Sequence, residues 1–145
     1  VMLPAIAAMS SAATPGSLGV VGSTAFRTME VTESPVSLAT GEHLVLLMST
    51  ECAHCKEAVP SVNALVDDSR LPKLTAVAME DRVERGLFRQ DLGAKYPVAQ
   101  ISKSSVIGLV DKEFPRLFLI REGVIIAVWD RDIPPVDEIL AKKES

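Results

Sequence analysis

The chain has 145 residues, 48% hydrophobic and 23% charged, with a formal net charge of -4. That size and balance suit one globular domain with a core of its own and exclude an intrinsically disordered chain. The acidic balance and the lack of a basic cluster argue against nucleic acid as a main partner, and two cysteines in all exclude a multi-disulfide secreted scaffold.

Residues 1–25 read as a leader or linker. The apolar VMLPAIAAM is followed by the small, uncharged SSAATPGSLGVVGS, without the positive region of a complete signal peptide and without the ~18 apolar residues of a membrane span. It is either the end of a membrane or signal segment with its linker, a strand-like arm packed on the domain, or tag or vector residue. Residues 26–145 are expected to form the domain. Phe26 to Val31 alternates apolar and polar, which predicts a half-buried strand. Ser34-Pro35 breaks it, and Thr40-Gly41-Glu42 turns the chain, through the loop residue His43, into Leu44-Val45-Leu46-Leu47-Met48. That strand is apolar without alternation, as expected when helices cover both sheet faces.

Cys52-Ala53-His54-Cys55 follows at once, and then a helix expected from about Ala53 to about Val66. Val59, Val62, Leu65 and Val66 lie on its apolar face, and Pro60 bends it. Leu74 to Met79 predicts a second buried strand. Val83, Leu87, Phe88 and Leu92 predict a helix whose C-cap is Gly93. Tyr96 to Ile101 reads as a short extended piece, and Val106, Ile107, Leu109 and Val110 as a brief helix. Phe114-Pro115 enters a strand to Ile120, Glu122-Gly123 turns, and Val124 to Trp129 returns. Strands this close pair as an antiparallel hairpin. Pro134-Pro135 opens a last helix with Val136, Ile139 and Leu140 inward. The β-α-β-α alternation predicts a parallel sheet flanked by helices, an α/β fold.

Two cysteines between the end of a buried strand and the start of a helix are placed for sulfur chemistry, because the unpaired amides there favour a thiolate. Cys52, nearer the loop, is the expected nucleophile, and Cys55, one turn on, the more buried resolving thiol. His54 between them adds positive character and Glu51 opposes it. The bland alternatives are inert thiols or half a zinc site. With no second CxxC and only His43 and His54 to help, zinc is poorly supported, and Lys56 after Cys55 excludes a c-type haem motif. Arg82, Arg85 and Arg89 read as a solvated helix face, Pro60 as structural, and Trp129 as core or sheet-edge packing. Glu80-Asp81 reads as a solvated helix start, although the C-terminal ends of strands are where α/β sheets bind ligands.

The CxxC at a strand-to-helix junction, Pro60 five residues after Cys55, and Phe114-Pro115 opening a strand-turn-strand-helix ending together resemble the thioredoxin superfamily over about residues 26–143. The extra strand and helix between the Ala76 strand and Phe114 look like its TlpA-like extracytoplasmic branch. The resemblance implies a thioredoxin-like fold: a central mixed sheet, with a parallel β-α-β half and a C-terminal antiparallel hairpin, flanked by helices. It also implies a cis peptide at Phe114-Pro115 beside the dithiol, with Ala53, His54, Phe114 and Pro115 supporting the site and the substrate groove. Three positions depart from the family pattern. Leu46 stands where thioredoxin has a buried aspartate, Glu51 where it has tryptophan, and bulky Phe114 where a smaller residue is usual.

The expected function is thiol-disulfide exchange with protein substrates through Cys52 and Cys55, with no metal and no cofactor beyond the dithiol itself. Its partners would be protein thiols or disulfides and an upstream redox partner, on the extracytoplasmic side and with a possible membrane tether through the N-terminus. A redox-inactive thioredoxin-fold binding or accessory module is the alternative. A peroxiredoxin is less well supported, because Ser49 stands where the peroxidase threonine is usual.

Overall fold

The computed structural model describes residues 20–109 and 114–145. In chain order these form α1 (Ala25–Thr28), β1 (Val31–Thr32), β2 (Glu42–Leu47), α2 (Ala53–Glu57), α3 (Val59–Val66), β3 (Leu74–Ala78), α4 (Arg82–Leu92), β4 (Val98–Ile101), α5 (Lys103–Leu109), β5 (Arg116–Arg121), β6 (Val124–Asp130) and α6 (Val136–Lys143). The leader expected over 1–25 lies outside the described residues as far as residue 19. Gly22 and Ser23 are bonded to the backbone of Ile125, so these residues before Phe26 belong to the folded body.

One six-stranded sheet, in the order β1-β4-β3-β2-β5-β6, organises the molecule. β2 pairs parallel with β3, and β3 with β4; β5 runs antiparallel to β2, and β6 to β5. The mixed sheet agrees with the expected fold class. β2 is central because Leu44, Val45, Leu46 and Leu47 are at most 1% exposed. Their side chains alternate between two cores. Leu44 and Leu46 pack with Cys55, Val59, Val62, Phe88 and Ile139, whereas Val45 and Leu47 pack with Phe26, Val106, Phe118 and Ile120. Each such side chain is worth about 1.5–3 kcal/mol when fully buried. The hairpin turn uses Glu122 (φ 52°) and Gly123 (φ 77°), the left-handed pair of a type I′ turn. Glycine is also required there sterically, since a Cβ at Gly123 would lie 2.4 Å from Arg27 Cγ and 3.1 Å from its backbone nitrogen.

Several expectations are corrected. Phe26 to Val31 begins as a helical turn and not as a strand: α1 buries Phe26 edge-on against Phe118 at 5.6 Å, and only Val31–Thr32 joins the sheet, opposite Ile101 and Gln100. Six alternating residues do not separate a strand from a single helical turn. His43 lies within β2 rather than in a loop. The helix expected over 53–66 is two helices that meet at Ala58, with Pro60 in the first turn of α3. There its missing N–H leaves no bond unmade. Val110 of the brief helix lies outside the described residues.

α4 starts where Asp81 Oδ1 accepts from the Glu84 N–H at 2.9 Å, and it ends at Gly93 with φ 68°. Its inner face differs from the expected one. Arg85 (5% exposed) and Phe88 point inward, while Val83, Leu87 and Leu92 are 67%, 50% and 38% exposed. Arg85 tolerates burial because every side of its guanidinium has an acceptor: Glu80 O at 2.8 Å, Val98 O at 2.7 Å and the Glu33 carboxylate. Arg82 pairs with the same Glu33, so two of the three arginines read as a solvated face are anchors to the loop after β1.

Candidate active site

β2 delivers the chain to the site and α2 receives it. Cys52 is the N-cap of α2, in extended conformation, and its Sγ accepts from the Cys55 N–H at 3.2 Å. A thiolate accepts such a bond more strongly than a thiol does. Cys52 is half-buried and Cys55 is 1% exposed, and both are free thiols. Of the two thiols, Cys52 is the accessible one. Ala53 is exposed beside it and offers no side chain to obstruct an approach.

The other wall is the start of β5. The Phe114–Pro115 peptide is cis, and the Phe114 carbonyl lies 3.7 Å from Cys52 Sγ as its acceptor. Phe114 is half-buried against both cores. Pro115 is buried, and its carbonyl accepts from the Arg131 N–H at 2.7 Å. The next residue, Arg116, is 1% exposed; it lies 2.6 Å from Asp130 and donates to Leu109 O at 2.5 Å. Thus the turn after β6 and the end of α5 both hold the Phe114–Pro115 loop against the dithiol.

His54 is 42% exposed, between Glu57 (3.7 Å from Nδ1) and Arg131, whose Nη2 lies 3.1 Å from Nε2. A guanidinium can only donate, so in this contact Nε2 is the acceptor. The fixed cation at this edge is therefore Arg131, which sequence reading did not single out. It is 77 residues away along the chain, and only the closure of the fold brings it here.

Glu80 was also missed as a site residue, having been read as part of a solvated helix start. Its carboxylate accepts from Ser49 Oγ at 3.0 Å and from the Thr50 N–H at 3.1 Å, so it braces the loop that carries Cys52. The available signal was topological: parallel β2 and β3 end side by side, and the C-terminal edge of such a sheet is where sites form. Leu46 itself is buried among apolar side chains. A carboxylate that acts on the buried thiol of the pair comes instead from Glu80, two residues after β3.

Burial, first of all, holds the Cys55 thiol well above its ordinary value. The hydrogen bond to Cys52 and the negative charge of Cys52 and Glu80 add to this, and only the Ser49 backbone opposes it. The folded chain keeps that proton above the ordinary thiol value of 9.0, where the unfolded chain releases it. Stability of the reduced protein is thus intact below about pH 9 and falls above it, by about 1.4 kcal/mol per pH unit for one proton. Urea unfolding of reduced protein between about pH 8 and about pH 10 should show this decline, and Cys55→Ala should lose the Cys55 share of it. An unchanged decline in Cys55→Ala would place its origin elsewhere. Among the described residues no group of three or more His, Cys, Asp or Glu is arranged to hold a metal ion.

The sequence matches no protein-family model and none of the curated proteins. Solved structures do resemble it. The thioredoxin domain of a thiol-disulfide oxidoreductase from Bacteroides vulgatus superposes with a TM-score of 0.57 at 14% identity, covering 74% of this chain and 80% of that one. The pneumococcal exposed lipoprotein thioredoxin from Streptococcus pneumoniae gives 0.59 at 13%, covering 74% and 87%. A peroxiredoxin-like protein from Aquifex aeolicus gives 0.55 at 16%, covering 72% and 71%. The chain has the fold of the thioredoxin superfamily. At these identities the likeness establishes fold and no more.

Proposed function

We propose that this protein is a thiol-disulfide oxidoreductase acting on protein disulfides, with Cys52 as nucleophile and Cys55 as resolving thiol. The observation that carries the reading is the asymmetric pair itself: a half-buried sulfur capping α2, beside the carbonyl of Phe114, with a buried partner thiol one turn behind. In the reductive direction the Cys52 thiolate attacks one sulfur of a substrate disulfide and expels the other as a thiolate, which takes up a proton. Cys55, losing its proton, then attacks Cys52 Sγ. The second substrate thiol leaves, and a Cys52–Cys55 disulfide remains. The raised Cys55 thiol makes that proton transfer the step needing help, and the Glu80 carboxylate is the nearby group able to assist. Ala53, His54, Phe114 and Pro115 frame the approach to Cys52, and an upstream partner resets the pair.

An extracytoplasmic setting, of the TlpA-like kind, is supported by the apolar, linker-like residues before the domain and by the exposed lipoprotein among the structural neighbours. Among the described residues no helix is long and apolar enough to cross a membrane. The apolar surroundings of Leu46 favour one second reading, a binding or accessory module without general reductase activity. Equilibrium titration of the dithiol against glutathione separates the two. Exchange near about -270 mV marks a reductase, and near about -120 mV an oxidant. Accessible thiols that never exchange would sink the enzyme reading.

A further inference from the structure

The groove between the Cys52 loop and α4 is an open hollow of about 410 Å³. Its floor is apolar: Leu87 and Leu92 line it while remaining 50% and 38% exposed, with buried Phe88 beneath. Its rim carries three carboxylates, Glu51, Glu84 and Asp91, against one cation, Lys56. Thr50 and Glu51, which line it, directly precede Cys52 in the same loop, so the groove borders the loop that carries the nucleophile. α4 presents this surface only because Arg85 and Phe88 take the inward positions, leaving three large aliphatic side chains of one helix facing solvent. Half-exposed leucines beside a reactive sulfur make a surface that association would cover. Crowding of like charge is also registered at Glu84, whose carboxyl is raised first by partial desolvation and then by Asp81, Glu51 and Glu80.

Resting on the oxidoreductase reading, we propose that this groove selects the substrate: an extended protein segment in which aliphatic residues next to the target cysteine are flanked by lysine or arginine. The aliphatic side chains cover Leu87 and Leu92, and the basic ones meet Glu51, Glu84 and Asp91. The rim has a net surplus of negative charge, so a segment flanked by acidic residues is repelled.

The test is binding, measured apart from redox chemistry. A fluorescent peptide has serine in place of the cysteine, leucines beside it and lysines outside them; a matched peptide carries glutamates for the lysines. Anisotropy titrations should give the lysine peptide an affinity at least ~10-fold higher, weakening with salt. Glu84→Lys and Leu87→Ser, both at exposed positions, should each weaken it by about 5-fold or more, while far-UV circular dichroism stays as in wild type. Equal binding of the two peptides, no binding of either, or variants that bind like wild type would overturn the proposal. So would self-association of the chain abolished by Leu87→Ser, which would assign the groove to a second copy. If glutathione exchange is absent while the lysine peptide still binds selectively, the oxidoreductase reading fails and the groove stands. If exchange is normal but selectivity is missing, the groove fails and the oxidoreductase reading stands.

Discussion

Cys52→Ser is expected to reduce disulfide-reductase turnover by a factor on the order of 10³ or more, to background. The hydroxyl keeps the cap of α2 but is not ionised at neutral pH, and the other sulfur cannot substitute because Cys55 is 1% exposed. Cys55→Ser should behave differently. It retains the exposed nucleophile, forms the mixed disulfide once, and accumulates it as a covalent complex visible on non-reducing gels and by mass spectrometry. Insulin reduction followed by turbidity measures the first effect. A Cys52→Ser protein with full activity, or a Cys55→Ser protein that turns over while the Cys52 variant traps substrate, would reverse the assigned roles or end the proposal. Both substitutions should leave the fold intact, which circular dichroism checks independently.

Arg116→Ala is expected to cost about 3 kcal/mol of stability, at the lower end for breaking a buried ion pair because Asp130 remains 34% exposed and can rehydrate. Arg116 is 1% exposed, bonds the Leu109 carbonyl and lies over the Phe118 ring at 5.7 Å. Its Nε lies 2.6 Å from Asp130 Oδ1. Arg116→Met keeps much of the volume and should lose less, about 1–2 kcal/mol. Urea denaturation with an unchanged m-value is the measurement, and a loss below about 1 kcal/mol in Arg116→Ala would show that the pair contributes little. Because Arg116 follows Pro115, thiol exchange should also slow in the Ala variant as the Phe114 carbonyl loses its fixed place beside Cys52.

Most of the sheet was legible because its determinants are local. An apolar run at 44–48 without alternation can only be a strand covered on both sides, and the Glu122-Gly123 pair between two apolar runs can only close a hairpin. Asp81 and Gly93 bound α4 through cap chemistry that depends on neighbours three or four residues away. Phe26 failed the same treatment: its stretch is too short for periodicity to discriminate, and the Phe118 ring, distant in sequence, decided the outcome. Arg85 failed for a related reason. A charged residue is normally solvated, and only the Glu33 carboxylate and two backbone carbonyls, of Glu80 after β3 and of Val98 in β4, assembled around it, made burial affordable.

The sequence by itself determined the order of elements from β2 onward apart from the break at Ala58, the mixed sheet with its C-terminal hairpin, and the placing of two thiols at the head of a helix. These follow from hydrophobic period, turn chemistry and the spacing of two cysteines, all encoded over a few residues. Only the tertiary structure decided that Glu80 braces the Cys52 loop, that Arg131 faces His54, and that α4 turns Leu87 and Leu92 outward beside the nucleophile. Those are contacts between segments brought together by strand pairing, and the energy of burying or satisfying a polar group depends on partners that no local pattern names.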